Sequence, residues 1–147
     1  MFCDAAKKYL LECERRGMRT VDLIAYHVTL LLSYIGMKPL ELVHNGSFES
    51  FIDERINDDK VTPTTVNRSL EVARTVLNRA ARVWRGEDGK PWLGVAPLIE
   101  MLDENPRLPY PLSWSKQRQL FSELTPHIQR PALFGVNTGA REEKSAV

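Results

Sequence analysis

The sequence predicts an all-α fold, and three observations carry that prediction. Apolar residues recur at steps of three or four in "FCDAAKKYLLECERRG", "TVDLIAYHVTLLLSYIG", "SFESFIDERI" and "TPTTVNRSLEVARTVLNRAARVW". Glycines or polar loops close each of these segments. Thr62 before Pro63 forms a strong helix start, with a capping residue followed by proline at the first helical position.

In the first segment Phe2, Ala6, Tyr9, Leu10 and Cys13 form one stripe, and Gly17 ends the helix after Arg15 and Arg16. Thr20 is placed to cap the second, Asp22 favours its first turn, and Ile24, Val28, Leu31 and Ile35 make its stripe. Gly36 stops it. Ser47 is expected to cap a third helix that faces Phe48, Phe51, Ile52 and Ile56 inward. The fourth carries the clearest period, through Val66, Leu70, Ala73, Leu77, Ala80 or Ala81, and Trp84.

Asp88-Gly89 marks a turn after it. "ENPRLPYPLS" holds three prolines between Pro106 and Pro111, which keeps it extended. The organisation read from these signals is a four-helix domain over 1–90, a linker over 91–112 and a two-helix piece over 113–147. "SWSKQRQLFSEL" and "HIQRPALFGVNTG" are the two short helices, with Pro131 blurring the start of the second. Leu120, Phe121, Leu124, Leu133, Phe134 and Val136 of this piece are expected to be exposed.

A chain of 147 residues suits one domain, or one domain with an appendage. Its hydrophobic fraction of 43% supplies a core, and 27% charged residues is ordinary for a soluble protein. Cys3 and Cys13 lie too far apart along one helix to pair, so reduced thiols are expected, with Cys13 as core filler. Charged residues at Asp4, Lys7, Lys8 and Glu12 exclude a signal-peptide apolar region, and "VTLLLSYIG" is too short to span a bilayer. A cytoplasmic protein with no membrane partner is expected. His27, His44 and His127 are scattered, so no metal site and no cofactor are expected.

The net charge of +1 identifies no partner, but its distribution is uneven. Residues 1–62 hold 8 Lys or Arg against 10 Asp or Glu, whereas residues 63–92 hold 6 against 3. On a helical wheel Arg68, Arg79 and Arg82 fall opposite Leu70 and Leu77, with Thr64 and Thr75 among them and Arg74 and Arg85 on the flank. Glu71 is the single acid of that helix. Arginine forks suit phosphate oxygens and guanine edges, and hydroxyls and the Asn67 amide suit phosphates. The helix N-terminus adds free N–H groups and the positive end of a dipole. An ordinary solvated face is the competing reading of these residues.

Taken in order, "AAKKYLLE", "LLSYIGMKPLELV", "FIDERI", "TPTTVNRSL", "PLSWSKQRQLFSEL" and "ALFGVNTGARE" resemble the phage-type tyrosine recombinases, or integrases. The first four helices resemble their core-binding, SAM-like domain, and the last two resemble the opening of their catalytic domain. "NTGARE" resembles the family's Thr-Gly-Leu-Arg-x-x-Glu box, which implies that Arg141 is its first catalytic arginine. Such an arginine stabilises charge developing on the phosphoryl oxygens. Lys144 and Ser145 depart from the family's pattern, and Tyr9, Tyr26, Tyr34 and Tyr110 all precede Arg141, so none matches the nucleophile. The resemblance therefore implies a truncated integrase that binds double-stranded DNA without completing catalysis. Thr64, Asn67, Arg68, Thr75, Arg79 and Arg82 are its expected contacts, with Arg107 added from the linker. The alternative is a non-catalytic module that pairs with intact integrase protomers.

Overall fold

The computed structural model describes residues 1–104 and 110–139. Its helices are α1 (Phe2–Arg15), α2 (Val21–Ile35), α3 (Glu49–Asp53), α4 (Pro63–Arg82), α5 (Trp114–Glu123) and α6 (Pro126–Thr138). Among the described residues there is no strand, only an isolated bridge between Arg85 and Pro91. None of these helices is long and apolar enough to cross a membrane. The chain divides into two compact units, Met1–Asn105 and Pro106–Val147.

In the first unit α1, α2 and α4 pack against one another. Their stripes meet in a core that fully buries Phe2, Leu31, Ile35, Phe48, Phe51, Leu70 and Leu77. Each such side chain contributes roughly 1.5–3 kcal/mol when removed from water. The first N–H groups of α1, which a helix cannot satisfy internally, are taken up by the chain leaving α2. Phe2 donates to the Lys38 carbonyl at 2.9 Å and Cys3 donates to the Gly36 carbonyl at 3.0 Å. Cys3 and Cys13 are free thiols, and Cys13 is buried in the stripe position expected for it.

The third helix departs from expectation. Ser47 lies inside a 3-10 turn, Asn45–Phe48, where its hydroxyl accepts the His44 N–H at 3.3 Å. α3 follows for one turn and widens into a π turn over Glu54–Asp58. The Tyr34 hydroxyl donates to the Glu54 carboxylate at 2.5 Å and ties that turn to α2.

The larger departure is the stretch expected to begin a linker at residue 91. It folds back over α4 as a strap. Leu93 donates its N–H to the Ala80 carbonyl at 3.2 Å, satisfying the last turn of α4. Leu93 and Ile99 are buried, and Met101 and Leu102 pack against the core. Glu100 donates its N–H to Asn45 Oδ1 at 3.0 Å. The strap is then fastened by Asn67, which is 3% exposed. Asn67 Oδ1 accepts the Leu102 N–H at 2.8 Å, while Nδ2 donates to the Leu102 carbonyl at 2.9 Å and to Glu104 Oε1 at 2.7 Å. Apolar burial and these bonds together extend the first unit to Asn105 rather than to residue 90.

In the second unit the Ser113 hydroxyl caps α5 by accepting the Lys116 N–H at 3.4 Å. Gln129 Nε2 donates to the Phe121 carbonyl at 3.0 Å and links α5 to α6. α6 starts at Pro126, runs through Pro131 and closes on Gly139 in the left-handed conformation that glycine adopts without strain. No residue of α5 or α6 is buried. Leu120, Leu133, Phe134 and Val136 are exposed as expected, whereas Phe121 and Leu124 are half-buried between the helices.

Replacing Asn67 by Ala leaves the partly buried Leu102 N–H without its acceptor. We expect a loss of about 1–3 kcal/mol in denaturant unfolding, with faster hydrogen exchange at Leu102. Unchanged stability and exchange would show that the strap is held by its apolar residues alone.

Candidate nucleic-acid interface

α4 presents two faces because its sequence does. Val66, Leu70, Ala73, Val76, Leu77 and Ala80 point into the core. Thr64, Arg68, Arg74, Thr75 and Arg82 are exposed. The structure keeps these five on the surface and removes two of the predicted contacts from it.

Asn67 is the first correction. Its amide is buried and its Oδ1 and Nδ2 are committed to the strap, so it has nothing left for a phosphate. Arg79 is the second. Its guanidinium is paired with the Glu12 carboxylate of α1, and their side chains are only 18% and 22% exposed. Glu12 also accepts the Trp84 indole N–H at 2.6 Å. Arg79 thus closes a node between α1 and the end of α4. On the wheel it lies opposite Leu70 and Leu77 but only three residues beyond buried Val76, on the side where Glu12 of α1 meets it.

The start of α4 is also altered. Thr62 stands at the N-cap, but its hydroxyl pairs with that of Thr65 at 3.1 Å instead of capping a backbone N–H. Thr64 donates its hydroxyl to Glu104 Oε2 at 3.0 Å. The strap therefore brings a carboxylate to the region where free N–H groups and a positive dipole had been expected to favour phosphate. Hydrogen bonds from Asn67 and then Thr64 hold the Glu104 carboxyl below its usual range, with Arg68 adding to the effect.

Arg68 is 61% exposed and pairs with Glu71 at 3.0 Å, an exchangeable surface contact. Thr75 donates to the Glu71 carbonyl at 2.8 Å and stays exposed. Arg74 and Arg82 have no ion-pair partner among the described residues. Between α2 and α4 lies a groove of about 330 Å³, lined in part by His27, Arg68, Glu71 and Thr75. His27 is buried there, its Nδ1 2.9 Å from the Ser69 hydroxyl. Burial first, and then Arg55 and Arg68, lower its tendency to protonate. The groove wall therefore disfavours a proton on His27 and carries the paired charges of Arg68 and Glu71.

Arg107 and Arg141 lie outside the described residues. Among the described residues no group of three or more His, Cys, Asp or Glu could hold a metal ion. Arg74, placed by the sequence on the flank of the wheel, is exposed. The strap that leaves this flank open gave no periodic signal. Comparisons with family models, with curated proteins and with solved structures find no match.

The two kinds of arginine should separate on mutation. Arg79→Ala is expected to cost about 2 kcal/mol, because it strands a partly buried carboxylate. Arg74→Ala and Arg82→Ala should each stay within about 0.5 kcal/mol of the parent. Thermal and urea unfolding measure both, and equal losses at all three sites would refute the distinction.

Proposed function

We propose that this chain is the DNA-binding part of a phage-type tyrosine recombinase, an integrase acting in site-specific DNA integration. In this reading the first unit is the SAM-like core-binding domain, and the outer face of α4 lies along the phosphates of double-stranded DNA. The observation that carries it is the exposure of Arg74 and Arg82 without acidic partners, together with Arg68, on one well-packed helix. A merely solvated helix mixes its charges, whereas α4 holds Glu71 as its single acid. Thr64 and Thr75 add hydroxyls suited to phosphate oxygens. The order of motifs ending in "NTGARE" supports the family assignment, with Arg141 as the first catalytic arginine. α5 and α6 are then the opening of the catalytic domain. The chemistry proposed for the family needs no metal or cofactor.

One observation favours a second reading. Leu133, Phe134 and Val136 of α6 are 41%, 50% and 57% exposed in a unit whose helices bury no residue. That surface suits a module that pairs with other integrase protomers through protein contacts.

Fluorescence anisotropy with a short labelled duplex tests the DNA reading. Three arginine–phosphate contacts predict about 40-fold weaker binding between roughly 50 and 200 mM salt. The Arg68→Ala/Arg74→Ala/Arg82→Ala variant should lose both the affinity and the salt slope. Binding that ignores salt, or that survives the triple substitution, would remove α4 as the DNA surface.

A further inference from the structure

The strap leaves a groove of about 410 Å³ along one flank of α4. Arg74, Asn78 and Arg82 line its helical wall, and Gly94 through Ile99 form the other. Arg74 and Arg82 are eight residues apart, which sets them about 12 Å apart along the helix axis. Neither has an ion-pair partner among the described residues. Facing them, Val95 is 83% exposed and Leu98 is 77% exposed. These side chains are held out by a segment anchored at both ends, since Leu93 and Ile99 are buried. The backbone N–H and C=O groups of Val95, Ala96 and Leu98 make no hydrogen bond among the described residues. The wall therefore offers apolar contact and backbone groups that have no partner within the described residues, opposite two guanidinium groups without ion pairs.

The geometry points to a docking groove for an extended acidic–apolar peptide segment of a protein partner. An extended chain advances about 3.3 Å per residue, so side chains four positions apart stand about 13 Å from one another on the same face. Two carboxylates at that spacing reach Arg74 and Arg82 together. An apolar residue between them meets Leu98 and Val95, and the peptide backbone pairs with the open backbone of the strap. A DNA duplex can reach Arg82 from the outer face. It offers no apolar side chain to Leu98 and no peptide N–H or C=O to the strap. This inference does not rest on the DNA reading, although Arg74 and Arg82 serve both.

The test titrates the full chain into a fluorescein-labelled nonapeptide with a central Glu-Ser-Leu-Ser-Glu sequence and follows anisotropy. Saturable binding on the order of tens of micromolar is expected, weakened about tenfold by Leu98→Ser and by Arg74→Ala. A peptide with both Glu replaced by Gln should not bind. Leu98 and Arg74 are exposed, so circular dichroism should show both variants folded as the parent. Absence of saturation, equal binding of the Gln peptide, or indifference to Leu98→Ser would each overturn the proposal. A duplex whose binding falls with Leu98→Ser as the peptide's does would assign the groove to nucleic acid and overturn it as well.

Discussion

Burial of the apolar face of α4 is the constraint on which the rest of the first unit depends. Residues 66, 70, 73, 76, 77 and 80 can leave water only together, as one stripe. α1 and α2 supply the partner surfaces, and their own stripes end in the same core. Once that face is fixed, the direction of every other α4 side chain follows from helix geometry. Arg82 falls on the far side of the helix, and Arg74, four residues beyond Leu70, stays exposed on the flank of the stripe. Residues at the margins fall under whatever covers the stripe, which is how Asn67 and Arg79 become internal.

The strap is the second consequence. α4 alone leaves the Ala80 carbonyl and one edge of the core open, and residues 91–104 close both. The Leu93 N–H reaches the end of α4, and Leu102 reaches Asn67 near its start. Glu104 arrives at the same place as a carboxylate bonded to Thr64 and Asn67. Negative charge at a helix N-terminus is favourable, so Glu104 stabilises α4 where a bound phosphate would otherwise do so. The cationic surface is thereby displaced from the start of the helix toward Arg68, Arg74 and Arg82. The same strap raises Val95 and Leu98 beside that surface and gives it an apolar border.

α1, α2 and α4 were legible because each has a sustained period and a recognisable end. Even there the mechanism of ending differed. Gly36 does not adopt the left-handed conformation usual at a helix end, since its φ is −54°. A β-carbon there would stand 2.5 Å from the Leu32 carbonyl oxygen, so the residue is glycine for lack of room. The 3-10 and π turns around α3 were hidden because Phe48, Phe51, Ile52 and Ile56 fit a regular helix equally well. The strap was hidden because Leu93, Ile99 and Leu102 follow no period. With it went the roles of Asn67 and Glu104, which depend on a contact between positions 35 or more apart. Arg79 was misplaced for a related reason. A wheel ranks residues by angle and cannot show that Glu12 of α1 waits at the margin.

The central claim is that α4 divides its arginines between structure and recognition. Arginine side-chain resonances in a ¹⁵N-correlated NMR titration with a short duplex test it most directly. The Nη–H signals of Arg68, Arg74 and Arg82 should shift as DNA is added, while those of Arg79, which pairs with Glu12 through Nη2, stay in place. Stationary signals at all four, or a shift led by Arg79, would contradict the account.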